Sequence, residues 1–157
     1  GEAPMDAQYQ YLVLVHPTKH ELGAARSKAP YQILHKDNTA HVVTDKLTGI
    51  TAYAAFETYQ PQGDKLFSMI PAETMVMQKA SDGGIVMSVC DPNLNISEKT
   101  FTTKEPSRPI VKQIVMKGKW NLAQPNDRVK VQTTATETTI TVTCQHGQPV
   151  EFYIIKG

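Results

Sequence analysis

The stretch that decides the fold lies near the C-terminus. It reads Glu137-Thr138-Thr139-Ile140-Thr141-Val142-Thr143-Cys144, then Gln145-His146-Gly147-Gln148-Pro149, then Val150-Glu151-Phe152-Tyr153-Ile154-Ile155. Its first limb alternates threonine with an apolar residue at period two, and both limbs are rich in β-branched and aromatic side chains. Both are marks of half-buried β-strands. As a hairpin, the two limbs admit two registers. A two-residue His146-Gly147 loop sets Val142 opposite Glu151 and leaves the apolar sets on different faces. A three-residue loop, residues 145–147, pairs Val142 with Val150 and Ile140 with Phe152, giving one shared buried face with Gly147 at positive φ. The three-residue loop is the expected one, and Thr143 opposite Val150 would contradict it.

Working outward, short alternating or β-branched runs recur, and strands are expected near 9–16, 31–35, 39–45, 50–58, 74–79, 84–90, 110–119, 128–133, 137–144 and 150–155. Turn formers separate them at Asp37-Asn38, Thr48-Gly49, Asp82-Gly83-Gly84, Asp91-Pro92-Asn93 and His146-Gly147. One helix interrupts the pattern. Thr18 and Glu21 have capping-box spacing, and the helix should run to about Ser27, because Ala29 precedes Pro30 and resists helical geometry. Gly23 weakens it. The expected fold class is therefore all-β, an antiparallel β-sandwich with one short connector helix near the N-terminus. Val111 and Val115 fall on one face of the 110–119 strand, with Ile110, Ile114, Met116 and Trp120 on the other, as for a strand between two layers.

The 157 residues are 40% hydrophobic, 20% charged and 7% aromatic, which suits one ordinary domain or two small ones sharing a border. A chain this long buries roughly 70% of its unfolded surface and needs no staples. Near-normal apolar content and a formal charge of +1 exclude a disordered chain. The longest apolar run, residues 11–15, falls far short of the ~20 residues that span a bilayer. Sixteen Lys+Arg against fifteen Asp+Glu give no sign of nucleic acid. No secretory signal opens the chain, Gly1 reads as a cloning scar, and the sequence reads as a piece of something longer.

Chemistry is sparse. His16 and His20 have i, i+4 spacing, but Pro17 lies between them and no third ligand is near in sequence. His35 and His41 flank the Asp37-Asn38 turn. A two-residue loop there sets Leu34 opposite His41 and puts the two histidines on opposite faces. His146 is expected as a solvated turn residue. Cys90 and Cys144 could pair in an oxidising compartment, yet buried free thiols are the expected state. No G-x-S-x-G, glycine-rich phosphate loop or C-x-x-C occurs. Asn95-Ile96-Ser97 fits the glycosylation acceptor pattern, which arises often by chance, and Asp91-Pro92-Asn93 reads as a turn rather than a calcium loop. Trp120 reads as a core plug rather than a sugar-stacking platform, and Tyr9, Tyr11, Tyr53 and Tyr59 as core residues. Loops 60–64 and 97–109 are the expected mobile segments.

Charge is uneven. Residues 101–130 carry Lys104, Arg108, Lys112, Lys117, Lys119, Arg128 and Lys130 against Glu105 and Asp127, a net +5 that leaves −4 for the remainder. A polyanion-binding strip is one reading. Strand parity points Lys112 away from Lys117 and Lys119, which favours solvated edge charges instead.

Several segments together are similar to the C-terminal end of polysaccharide lyase family 8, closest to the chondroitin sulfate ABC lyases. They are Ala3-Pro4-Met5-Asp6-Ala7-Gln8-Tyr9-Gln10-Tyr11, Tyr31-Gln32-Ile33-Leu34-His35-Lys36-Asp37 and Asp45-Lys46-Leu47-Thr48-Gly49-Ile50-Thr51-Ala52-Tyr53, followed by Asp91-Pro92-Asn93-Leu94-Asn95 and Lys117-Gly118-Lys119-Trp120. Their order carries the resemblance, which spans nearly the whole chain. It implies a helical toroid and a large antiparallel sandwich upstream. Residues 1–30 would then be the last strand and exit helix of that preceding sandwich, and 31–157 a C-terminal antiparallel β domain. It also implies a secreted or periplasmic glycosaminoglycan lyase that acts on chondroitin or dermatan sulfate, with hyaluronan as a further substrate. Such enzymes cleave by β-elimination at uronic acid: a cationic or amide group neutralises the carboxylate, a base takes the C5 proton and an acid protonates the leaving oxygen. The family's catalytic His, Tyr, Arg and Glu belong upstream, and none maps onto a position here. The fragment is accordingly expected to be structural and inactive alone, with no catalytic, cofactor-binding or metal residue and no cofactor. Its expected partners are the preceding sandwich, the toroid and the parent's glycosaminoglycan substrate. The alternative is an independent carbohydrate-binding module for sulfated glycans.

Overall fold

In the computed structural model, residues 10–94, 96 and 106–157 are described. The chain separates into two compact units, Gly1–Pro30 and Tyr31–Gly157. In the first, helix α1 (Lys19–Ser27) begins as its capping box requires: the Thr18 hydroxyl accepts from the Glu21 backbone N–H at 3.2 Å, and Glu21 accepts from the Thr18 N–H at 2.7 Å. Residues 10–16 are irregular rather than a strand; Tyr9 lies outside the described residues. Period-two sequence forms a strand only where a neighbour completes its hydrogen-bond ladder, and among the described residues this segment joins neither sheet. Tyr11, Val13 and Val15 are all largely exposed.

The second unit is the sandwich. Strands β1 (Tyr31–Lys36), β2 (Ala40–Asp45), β3 (Thr51–Ala55), β5 (Thr74–Ser81), β6 (Gly84–Cys90), β11 (Val150–Lys156) and β8 (Trp120–Leu122) line up in that order as one sheet. The other is β4 (Phe67–Met69), β7 (Ile110–Lys117), β10 (Glu137–Cys144) and β9 (Val129–Thr133). Every pairing is antiparallel. One apolar layer fills the space between: Val42, Tyr53, Val76, Met87, Val89, Phe152 and Ile154 from the larger sheet, with Phe67, Ile114, Met116, Ile140 and Val142 from the smaller. Each such side chain contributes about 1.5–3 kcal/mol by leaving water.

Strands β10 and β11 do not pair with each other, so neither expected hairpin register holds. Strand β10 lies between β7 and β9, with Ile140 opposite Ile114 and Val131. Strand β11 lies between β6 and β8, with Phe152 opposite Met87. The two-residue turn does form locally: the Gln148 N–H donates to the Gln145 carbonyl at 3.1 Å, with His146 and Gly147 at φ 60° and 66°. The chain then crosses to the facing sheet. The shared apolar face is met by stacking the two rows across the sandwich rather than side by side.

The expected 110–119 strand also divides. It ends at Lys117, Gly118 turns at φ 84°, and Trp120 opens β8 in the opposite sheet. Buried Thr138 holds this crossover by donating to the Gly118 carbonyl at 2.8 Å and accepting from the Trp120 N–H at 3.0 Å. Trp120 is the core plug expected: it is buried, its indole N–H donates to the Lys117 carbonyl at 2.9 Å, and the Lys156 ammonium sits 3.9 Å from its ring centroid. Strand β7 has one inner face only. Val111 is 57% exposed on the outer side, while Lys112 points inward.

Lys112 and Asp91 tie the sheets together at one end. Asp91 follows β6 and Lys112 lies on β7, and their charged groups meet at 3.2 Å with both side chains more than nine-tenths buried. The ammonium also donates to the Ala72 carbonyl at 3.1 Å, and the Asn93 N–H donates to Asp91 at 2.8 Å. Asp91 thus belongs to a structural turn, as read, and not to a calcium loop. Removing one partner strands a buried charge, at a cost of about 3–5 kcal/mol. Lys112→Ala should therefore lose stability of that order in urea denaturation, and Lys112→Met with Asp91→Leu should regain most of it. An unchanged single variant would show that water reaches the pair.

Candidate functional site

A chemically furnished concavity lies where the β1–β2 hairpin meets residues 59–64, a cleft of about 460 Å3. Its geometry begins with a β-bulge. Ile33 pairs with Val43 but His35 pairs with Val42, so Leu34 is extra, 53% exposed, and the bulge aims His35 toward the cleft. The hairpin tip sits one residue later than expected: the Asp37 N–H donates to the Ala40 carbonyl, and His41 lies opposite Lys36, not Leu34. Parity survives, so His35 and His41 do occupy opposite faces. His41 meets Phe56 edge-on at 5.0 Å, while His35 lies against Tyr59 with centroids 4.9 Å apart.

Two carboxylates flank these rings. Asp37 Oδ1 accepts from the Thr39 and Ala40 N–H groups at 2.7 and 2.9 Å, which hold its carboxyl below the usual range, helped by nearby His35. His35 Nε2 stands 3.0 Å from Asp37 Oδ2, an ion-pair distance whose angle falls short of a hydrogen bond. Asp64 accepts the Tyr53 hydroxyl at 2.8 Å and the Leu66 and Phe67 N–H groups at 2.7 and 3.0 Å. The 60–64 loop, expected to be mobile, is thereby anchored. Burial chiefly, then Asp64, push the Tyr53 phenol far above its ordinary value; Tyr59 shifts up through burial and the charges of Asp64 and Asp37. Among the described residues, no Lys or Arg lines the cleft. A tyrosine made harder to ionise, between carboxylates and without a cation, is poorly placed to accept an anionic substrate or a proton from it.

The other candidates scatter. Lys104, the Asn95-Ile96-Ser97 triplet's Asn95 and Ser97, and most of the 97–109 loop lie outside the described residues. Of the basic run, Lys112 is buried, Lys117 donates to the Asp64 carbonyl at 2.5 Å, and Arg128 donates to the Thr143 carbonyl at 3.0 Å. Lys130 and Lys117 share the outer face of the smaller sheet, but on the two strands that flank β10 and four residues apart in register, and exposed Lys119 lies in the connection to β8. His146 is exposed, and its Nδ1 lies 3.0 Å from the hydroxyl of buried Ser107, which also accepts the His146 N–H. That hydroxyl fixes a turn and is shielded from any substrate. Cys90 and Cys144 are free thiols, and burial raises both above the ordinary thiol range. Among the described residues no group of three His, Cys, Asp or Glu is disposed to hold a metal, and no helix is long and apolar enough to cross a membrane. The sequence reading missed the Asp91–Lys112 and Tyr53–Asp64 pairs. An inward-parity lysine on a buried strand was the available signal for the first.

The sandwich is a fold found in polysaccharide lyases. It superposes on a chondroitin AC lyase of Streptomyces coelicolor A3 with a TM-score of 0.62 at 14% identity, covering 90% of this chain and 17% of that one. A Paenibacillus xanthan lyase matches with a TM-score of 0.62 at 12% identity, covering 90% and 12%. Sequence narrows the relationship. The chain is 31% identical over 155 residues to a chondroitin sulfate ABC endolyase of Proteus vulgaris, covering 94% of this chain and 14% of the relative. It is 25% identical over 179 aligned positions to a chondroitin sulfate ABC exolyase of Bacteroides thetaiotaomicron, covering 99% and 18%. The chain is thus a homologue of the chondroitin ABC lyases among the polysaccharide lyases, and spans under a fifth of the length of these relatives. No family model matches it.

The raised phenol and thiols set an alkaline limit. Their neutral forms are favoured by folding, so the stability they contribute is whole below their unfolded values, 9.0 for the thiols and 10.0 for Tyr53, and is lost as pH climbs past them. Unfolding free energy should fall above pH 9 and faster above 10. Tyr53→Phe should cost about 1.5–3 kcal/mol at neutral pH, by removing a hydrogen bond to a carboxylate, and flatten the decline above pH 10 in denaturation curves.

Proposed function

We propose that this chain is the C-terminal β domain of a family 8 polysaccharide lyase, secreted or periplasmic, that cleaves chondroitin or dermatan sulfate by β-elimination at uronic acid. The observation that carries this reading is coverage: sequence similarity to a chondroitin sulfate ABC endolyase runs over 94% of this chain yet only 14% of the relative. Residues 1–30 would be the last strand and exit helix of a preceding sandwich, the strand forming only against that neighbour, since 10–16 are irregular here. Their apolar Val13, Val15 and Leu22 are exposed, as expected of side chains whose partners belong to a neighbour. The domain's own role is structural, packing against that neighbour and the toroid.

Electrostatics support inactivity of the piece. β-Elimination needs a cation or amide at the uronate and a base able to take the C5 proton. The cleft that brings a histidine and a tyrosine together holds two carboxylates and, among the described residues, no lysine or arginine. The dispersal of the basic run likewise weighs against a module for sulfated glycans.

The isolated 157-residue chain should yield no ultraviolet absorbance of unsaturated uronate from chondroitin or dermatan sulfate. A measurable rise would overturn the non-catalytic assignment. Titration with chondroitin sulfate at low and moderate salt should show no salt-sensitive binding. A saturable, salt-sensitive response would favour the binding module.

A further inference from the structure

We infer that the cleft between the β1–β2 hairpin and residues 59–64 is a binding site for a single uncharged sugar unit, a hexose or an N-acetylhexosamine without sulfate. Its volume, about 460 Å3, lies in the range of small-molecule sites. Its lining has the two kinds of surface that a pyranose ring presents. The His35 and Tyr59 rings, 4.9 Å apart, together with half-exposed Leu34, form an apolar wall suited to the C–H face of a sugar. Around it stand groups with hydrogen-bonding capacity left over: the Tyr59 hydroxyl, the Thr39 hydroxyl and the side-chain amides of Gln60 and Gln62. None has a side-chain hydrogen-bond partner among the described residues. Hydroxyls and amides donate and accept equally well, which matches a ligand built of hydroxyl groups.

Charge sets the class. Asp37 and Asp64 border the cleft, and among the described residues no lysine or arginine lines it. A sulfate or carboxylate entering would meet two carboxylates, of which Asp37 has only the His35 imidazole beside it at 3.0 Å, whereas a neutral sugar meets no like charge. The bulge supports the assignment, because bulges re-aim side chains beside functional clefts, and this one turns His35 against Tyr59. Asp37 Oδ1 and both Asp64 oxygens accept from backbone N–H groups and Tyr53, and Asp37 Oδ2 faces His35, so the carboxylates fix the walls and leave the polar rim to meet the ligand.

The test is an amide chemical-shift titration of the isotope-labelled 157-residue chain. The probes are methyl β-galactoside, N-acetylgalactosamine and 4-sulfated N-acetylgalactosamine. The neutral sugars should give saturable shifts confined to residues 34–39 and 59–64, with millimolar dissociation constants. Gln60→Ala with Gln62→Ala, both at exposed positions, should weaken binding about fivefold or more per hydrogen bond lost while leaving other amide shifts in place. The sulfated sugar should bind at least about tenfold more weakly, and Asp37→Asn should narrow that gap. No saturable shift up to roughly 100 mM, shifts centred elsewhere, or full affinity in the double glutamine variant would each overturn the site. Equal affinity for the sulfated sugar would overturn its neutral class.

Discussion

The structure depends on one apolar layer that two sheets must share. Ile140, Val142 and Cys144 on β10 and Val150, Phe152 and Ile154 on β11 are all buried, yet the strands belong to different sheets. A hairpin would place both rows on one surface and still require a cover. Crossing at His146-Gly147 makes each row part of the other's cover. The same logic governs Gly118, where the chain leaves β7 for β8 and Trp120 drops into the gap, held by Thr138 and the Lys117 carbonyl. Glycine at both crossings is a backbone requirement, since φ is 84° and 66° there.

Within that layer, Lys112 is the exception that shows how tightly the ends are specified. A lysine on the inward parity of a core strand is tolerable only with a partner, and Asp91 arrives from the opposite sheet to supply it. A slip of β7 by one residue would bring Val111 inward and send Lys112 to solvent, orphaning Asp91. The pair therefore contributes to choosing the register even if an apolar pair of equal volume would serve stability as well.

Local signals were legible in the sequence and partners were not. The Thr18–Glu21 capping box, the alternation in β10 and the turn glycines each act over a few residues, so they read correctly. Pairing is decided by tertiary burial, which is why β10 and β11 went to separate sheets and why 10–16, although strand-like, formed none. Strands β4 and β8, three residues each, were too short for periodicity to mark. The bulge at Leu34 was invisible because inserting one residue changes no composition, only which face the following side chains take. The cleft could not be foreseen, since its two walls are joined by His35 and Tyr59, 24 positions apart.

Charge illustrates the same difference between chain order and space. Residues 101–130 are basic along the chain, but burial of Lys112 and the carbonyl contacts of Lys117 and Arg128 distribute that charge over separate surroundings. The acidic groups do the reverse: Asp37 and Asp64, distant in sequence, converge on one cleft. A linear excess of one sign attracts a polyanion only if the fold keeps the charges on a common surface, because screening extinguishes exposed pairs beyond about 8–10 Å. A small acidic cleft, by contrast, needs only two carboxylates to exclude an anion at short range. The fold thus turns a sequence with a basic segment into a domain with an acidic cleft, because carboxylates 27 positions apart meet there while the basic side chains are buried or held on carbonyls.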